Sequence, residues 1–149
     1  MVNLRVPPDF KEFLKLLSAH QVEYLLVGGY AVAFHGYART TADMDIWIAR
    51  HPGNAERLVA ALTEFGFSLP DLTPELFLQE GRLIRMGNPP VRIEIATTVS
   101  GVEFAPCYDA RVEGNLDGVN ANVINLQDLK TNKKAAGRFK DLDDLENLP

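Results

Sequence analysis

Asp43 and Asp45 stand two residues apart in the run Asp43-Met44-Asp45-Ile46-Trp47-Ile48. Alternate side chains of a strand share a face, so both carboxylates point one way while Met44, Ile46 and Ile48 face a core. Asp is disfavoured in strands, so two of them within an apolar run ask for a chemical reason. Paired carboxylate oxygens suit Mg²⁺, which bridges protein carboxylates to substrate phosphates, and Mn²⁺ takes the same donors. Upstream, Gly28-Gly29 joins the apolar segment 24–27 to a short helical segment. A glycine turn feeding a helix offers backbone N–H groups to phosphate. Either feature alone is commonly a plain turn or a solvated strand edge. Their conjunction describes half of a metal–nucleotide site.

A third carboxylate is wanted near the first pair to help activate an attacking hydroxyl. Val91-Arg92-Ile93-Glu94-Ile95-Ala96 supplies Glu94, set against two isoleucines on the opposite strand face. The bland alternative is an exposed strand residue paired with Arg92 or Arg39. Trp47 shares the face of Asp43 and Asp45, where it either stacks a base or fills core. His35 reads as a helix-end residue bonded to the carboxylate strand. Cys107 has no His partner in view, and Ser18 and Ser100 lack a base, which argues against covalent catalysis.

The elements that must position these groups follow from periodicity. Asp9, with Glu12 three residues on, reads as the N-cap of a helix whose apolar face is Phe10, Phe13, Leu14 and Leu17. Segments 24–27 and 43–49 read as strands, 30–36 as a short helix ended by Gly36, and 54–65 as a helix ended by Gly66. A short helix is expected near 74–79. Residues 83–86 and 91–96 read as a hairpin about Gly87-Asn88-Pro89-Pro90. Residues 100–118 show little periodicity. A strand at 119–124, a helix over 126–138 and a second short helix over 140–148 complete the chain. The expected architecture is one α+β domain spanning 1–149, with a mixed sheet of four or five strands and helices mostly on one face.

Two stretches carry a family resemblance. Gly28-Gly29, Ala31, His35-Gly36 and Arg39-x-Thr41-x-Asp43-x-Asp45 resemble the opening signature of the DNA polymerase β-type nucleotidyltransferase superfamily. Within it the likeness is to a small Gly-Gly branch that includes AbiEii-like toxin nucleotidyltransferases. The segment 132–145, Asn-Lys-Lys-Ala-Ala-Gly-Arg-Phe-Lys-Asp-Leu-x-Asp-Leu, resembles that branch's closing Lys-x-Ala-x-x-Arg-x-Lys-Asp motif. The likeness extends over residues 22–148. It implies a Mg²⁺-dependent transfer of a nucleoside monophosphate from an NTP such as ATP to an acceptor hydroxyl. It assigns metal binding and catalysis to Asp43, Asp45 and Glu94. Gly28, Gly29, Arg39, Thr41, Lys133 and Arg138 would then contact the nucleotide. Expected partners are the NTP, an acceptor such as tRNA, protein or a small molecule, and an antitoxin if the chain is toxin-like. The chain departs from better-known branches in having Tyr30 after Gly29, where many members carry a phosphate-contacting serine beside the glycine. Glu94 stands where Asp is more usual in the superfamily.

Composition sets bounds. The chain has 149 residues, 46% of them apolar and 23% charged, as in ordinary globular domains. A chain of that length buries roughly 70% of its unfolded surface. No run nears the ~20 apolar residues of a membrane span. Residues 1–8 lack the apolar core of an export signal, so a cytoplasmic protein without membrane contact is expected. One cysteine permits no internal disulfide. A net charge of −5 argues against holding nucleic acid by bulk electrostatics, while five Lys/Arg between 130 and 140 leave room for a local basic patch. A nucleotide- or partner-binding domain without transfer is the rival expectation. A phosphohydrolase using the same carboxylates is a weaker one.

Overall fold

A computed structural model describes residues 4–39 and 41–149. Residues 1–3, part of the stretch read above for an export signal, lie outside the described residues. Among the described residues six helices and six strands follow in the order α1 (Pro8–Ala19), β1 (Tyr24–Val27), α2 (Gly28–Phe34), β2 (Asp43–Ile48), α3 (Pro52–Phe65), β3 (Leu83–Asn88), β4 (Val91–Ala96), α4 (Phe104–Asp109), β5 (Val112–Leu116), β6 (Val119–Val123), α5 (Leu126–Ala136) and α6 (Phe139–Asn147), with a 3₁₀ turn at Pro74–Leu78. The class is α+β, as expected. The sheet has six strands rather than four or five, in the order β3-β4-β2-β1-β6-β5. It is mixed, because β2 pairs parallel with β4 and β1 parallel with β6 while the other neighbours run antiparallel.

The additional strand is β5 (Val112–Leu116), which falls in the stretch that shows little periodicity. Its Gly114 lies against the Phe34 ring, where a Cβ would come within 2.5 Å of ring carbons. A strand that needs glycine for close packing loses its apolar alternation. Its hairpin turn to β6 is Asp117-Gly118, both with positive φ, as a tight two-residue turn requires.

The central strands explain how the site is held. All four residues of β1 are buried, and Met44, Ile46 and Ile48 of β2 and Ile93 and Ile95 of β4 are fully inaccessible. Their burial removes the freedom to slip by one residue, which would turn every carboxylate into the core. The apolar residues of α1 (Phe10, Phe13, Leu14, Leu17) and of α3 (Leu58, Ala61, Leu62) join the same core. On the carboxylate-bearing face, Trp47 is 2% exposed and meets Phe104 of α4 edge-on, with ring centroids 5.1 Å apart. Trp47 is therefore core, not a base platform.

Three local expectations are corrected. Helix α1 starts two residues earlier than an Asp9 cap implies: Pro7 is the N-cap, without a side-chain cap bond, and Pro8 opens the helix. Prolines suit that position because the first helical N–H groups have no partner. Helix α5 stops at Ala136 because Gly137 takes a left-handed conformation, so Lys133 and Arg138 do not share one helix. His35 Nε2 bonds the carbonyl of Ile124, just past β6, at 2.7 Å, rather than the carboxylate strand.

Candidate functional site

Register assembles the floor of the site. Val27 lies opposite Asp45, Asp45 opposite Glu94, and Glu94 opposite Arg85, one row across β1, β2, β4 and β3. One step along, Asp43 lies opposite Arg92. Side chains in register share a face, so three carboxylates and two guanidinium groups cluster on one surface of the sheet. Arg92 donates to both oxygens of Asp43, from Nε at 3.1 Å and Nη2 at 2.8 Å. Arg85 Nε donates to Glu94 Oε1 at 2.9 Å. The partner of Glu94 is thus Arg85 across the hairpin, not Arg92 or Arg39. Arg92 is instead turned onto Asp43.

The carboxyls respond oppositely. Arg92's hydrogen bonds hold the Asp43 carboxyl below its ordinary value. Asp45 is pushed from 3.8 up to about 7, first by burial, then by the hydrogen bond and negative charge of Glu94, with Lys140 opposing. Two carboxylates directly opposite one another on adjacent strands repel unless a proton or a cation lies between them. That donor set fits a divalent cation. Among the described residues no group of three His, Cys, Asp or Glu side chains is arranged to hold a metal by itself. A cation here needs further oxygens from water or phosphate, the ordinary manner of holding Mg²⁺.

Gly28 covers one edge of this floor. Its φ is +63°, and a Cβ there would stand 2.1 Å from Asp45 Oδ2. Both the conformation and the close approach require glycine. Gly29 lies against Thr41, where a Cβ would be 2.3 Å from Oγ1, and Thr41 Oγ1 donates to the Asp43 carbonyl at 3.4 Å. The second glycine and Thr41 thus lock the turn onto the start of β2.

Above the floor opens a cavity of about 440 Å³. Gly28, Asp45, Glu94, Leu83, Arg82, Lys133, Arg138 and Lys140 are among its walls. It has an acidic floor and a basic wall, and the wall is braced from behind. Lys133, 3% exposed, bridges Asp141 at 3.1 Å and Asp144 at 3.0 Å. Arg39 grips Asp144 with Nε at 2.7 Å and Nη2 at 3.0 Å. Arg138 Nε donates to Asp141 Oδ2 at 2.8 Å, and its backbone N–H bonds the same oxygen at 3.2 Å. Burial alone would raise both aspartates. The hydrogen bonds from Arg138 and Lys133 to Asp141, and from Arg39 and Lys133 to Asp144, outweigh it and hold both below the ordinary range.

Of the residues singled out from sequence, Gly28, Asp45, Glu94, Lys133 and Arg138 come together around the cleft. Asp43 shares their sheet face under Arg92, while Gly29, Thr41 and Arg39 support from behind. Residues that sequence reasoning did not assign to the site are Arg85, Arg82 and Lys140 on the cleft side and the bracing pair Asp141 and Asp144. The hairpin register could have found Arg85, which lies opposite Glu94 across Gly87-Asn88-Pro89-Pro90. Cys107 is buried and its thiol is pushed up to about 12, chiefly by burial, so it is no nucleophile. No helix among the described residues is long and apolar enough to cross a membrane. No family model matches the chain, and no curated protein matches it.

Proposed function

We propose that the chain is a Mg²⁺-dependent nucleotidyltransferase that moves a nucleoside monophosphate from an NTP to an acceptor hydroxyl. One observation carries this reading: Asp45 and Glu94 stand in register under the Gly28 turn and open into a cleft whose other wall is cationic. A metal-bound triphosphate is the ligand whose charge pattern matches, with cation against the acidic floor and phosphates against the basic wall. Bound there, the metal would supply Lewis-acid charge stabilisation. Asp45 and Glu94 would hold it, joined by Asp43 once Arg92 lets go.

The chain's own residues then have defined tasks. Gly28 lets the phosphates approach the backbone. Arg138 and Lys140 neutralise charge that grows on the phosphoryl oxygens and the leaving group. The acceptor oxygen bonds to the α-phosphorus as the bond to the bridging oxygen breaks. Pyrophosphate leaves with that electron pair, and one carboxylate of the Asp45–Glu94 pair receives the acceptor's proton. Kinship with toxin nucleotidyltransferases, a single-domain chain and an antitoxin partner belong to the same proposal, as do a tRNA, protein or small-molecule acceptor and a cytoplasmic setting.

A specific observation favours a second reading, metal–nucleotide binding without transfer. Lys133 and Arg39 are committed to buried aspartates and Asp43 to Arg92, which leaves fewer groups to stabilise a transition state. One assay separates the two. Purified chain with Mg²⁺ or Mn²⁺ and each of four α-³²P-labelled NTPs is incubated with cellular RNA and protein. Label incorporated by wild type and absent in Asp43→Ala/Asp45→Ala supports the transferase and names the acceptor class. Metal-dependent NTP binding without pyrophosphate release supports the binding module. Free phosphate or monophosphate without labelled acceptor marks a hydrolase.

A further inference from the structure

We propose that the end of this cleft away from Lys140 holds the nucleoside of the bound nucleotide, and that Asn132 there selects adenine over guanine. The inference rests on the nucleotide reading of the site and names the base it takes. Leu83, Ala96, Val99, Ser100, Asn132 and Ala136 all line the cavity above the acidic floor. On the sheet side, the row of Asp45, Glu94 and Arg85 is followed by a row of Trp47, Ala96 and Leu83. Residues two apart on a strand share a face, so the floor passes from acidic to apolar in one such step. Trp47 is covered by Phe104, which leaves the small Ala96 and the half-exposed Leu83 as the surface there. A leucine open to water gains by burial against an apolar ligand face.

The helical side follows the same gradient. Asn132 and Ala136, four apart on α5, share a helix face, and Arg138 and Lys140 follow beyond the helix end. Lys140 acts on the charge of Asp45, and Arg138 on those of Asp45 and Glu94. At the other end Asn132 Nδ2 donates to the Ser100 carbonyl at 2.9 Å. Charged groups therefore face charged groups, and neutral groups face neutral ones. Arg82 also lines the neutral end, with its Nε turned to Gln79 Oε1 at 2.8 Å. The neutral end is firmly built. Gly101, at φ +80°, lies so close to α5 that a Cβ would stand 2.5 Å from that of Ala135, and the Gly81 N–H donates to Thr98 Oγ1 at 3.1 Å. A nucleotide has the same lengthwise pattern, with phosphates at one end and a flat, uncharged base at the other. Asn132 supplies the choice of base. An amide offers two N–H donors and one carbonyl acceptor. The Ser100 bond takes one N–H and fixes which way the amide faces, leaving an acceptor oxygen beside the second N–H. That pair matches adenine, which shows its N6 amine next to the N7 acceptor, and fails against guanine, whose O6 and N7 both accept.

The test uses the full chain with Mg²⁺ and measures binding of three probes by titration calorimetry: ATP, GTP and ribose 5-triphosphate, which lacks only the base. Wild type is expected to bind ATP more tightly than GTP, and ribose 5-triphosphate most weakly. Asn132→Leu should lower ATP affinity by about 5- to 150-fold, the range for one bidentate base contact, and erase the preference over GTP. Leu83→Ala should weaken ATP and GTP alike by about threefold to tenfold, since about half of that side chain is open to be covered. Ribose 5-triphosphate should bind both variants as it binds wild type. Equal wild-type affinity for ATP and GTP, or a preference that survives Asn132→Leu, overturns the base-reading role. A loss shared equally by all three probes in Asn132→Leu overturns it too, because a loosened cleft would act on the triphosphate as well. Wild type that binds ATP no more tightly than ribose 5-triphosphate, with Leu83→Ala unchanged, overturns the nucleoside subsite and leaves the triphosphate reading standing. Wild type that binds none of the three probes overturns the nucleotide reading and the subsite with it.

Discussion

Asp45 and Asp144 are both aspartates set inside the molecule near a lysine, yet their carboxyls are driven in opposite directions. Asp144 lies with Asp141 behind the cleft, and Lys133, Arg39 and Arg138 supply enough hydrogen bonds to keep both ionised. Asp45 faces Glu94 across the sheet, and burial with like charge lifts it to about 7. The rear cluster is internally satisfied and braces α5 and α6. The floor is left wanting positive charge, and its two outer carboxylates are quietened only by arginines that are themselves partly in water. The difference separates scaffold from site: a structural charge cluster completes itself, whereas a binding cluster is completed by what it binds.

The sharpest way to break that comparison is Asp45→Asn. It should abolish nucleotidyl transfer, by about a thousandfold or more if the metal supplies several kcal/mol of charge stabilisation. The same change should stabilise the metal-free fold at pH 8. A carboxyl whose folded pKa lies above its unfolded value binds more protons folded than unfolded between the two values. Stability therefore falls as pH rises from about 4 to about 7 in wild type, and Asn removes that fall. Thermal unfolding in EDTA at pH 4, 6 and 8 should show the variants converging at pH 4 and Asn ahead at pH 8. A destabilised Asn variant at pH 8 would mean that Asp45 is a structural residue.

Lys133→Met addresses the other half. It keeps length and apolar bulk but leaves two buried carboxylates short of their shared cation. Breaking a buried ion pair from one side costs about 3–5 kcal/mol, and that loss should appear in urea unfolding at pH 7. Asp141 and Asp144 have folded pKa values below their unfolded ones, so their contribution is present at neutral pH and disappears as pH falls through the folded values. The deficit of Lys133→Met should shrink accordingly in acid, the reverse of the Asp45 pattern. A loss of transfer with unchanged stability would instead place Lys133 on the substrate.

How much of this was legible in the sequence depended on the range of the interaction. Strands β1, β2 and β4 and helices α1 and α3 announced themselves by local period, and Asp43, Asp45 and Glu94 stood out as acids inside apolar runs. Strand β5 did not, because Gly114 under Phe34 and the polar Asn115 dilute strand character, and the Asp117-Gly118 turn was the one usable signal. The closing motif was visible as a run of cations and acids. Its folding back on itself through Lys133 and Asp141 was not, since Gly137 breaks the helix on which the spacing had been read. Pairing choices were the least legible. Whether Arg92 takes Asp43 or Glu94 is fixed by the parallel register of β2 on β4, a contact between segments 49 residues apart.

Arg92 makes that choice testable, with the smallest expected effect. Its guanidinium donates to both oxygens of Asp43, whose lone pairs a cation would use. Arg92→Gln removes a competitor for Asp43 without touching the Asp45–Glu94 pair. Manganese binding, followed by electron paramagnetic resonance without nucleotide, should tighten by about threefold to tenfold. The effect is bounded because Arg92 is 36% exposed and water screens the pair. If the released guanidinium normally moves onto phosphate, the same variant should bind Mn²⁺–ATP more weakly than wild type, so metal and nucleotide affinities shift in opposite senses. Weaker binding of both would show that Arg92 orders the floor instead of competing for it, and the line between satisfied scaffold and unsatisfied site would then run through Asp43 rather than beside it.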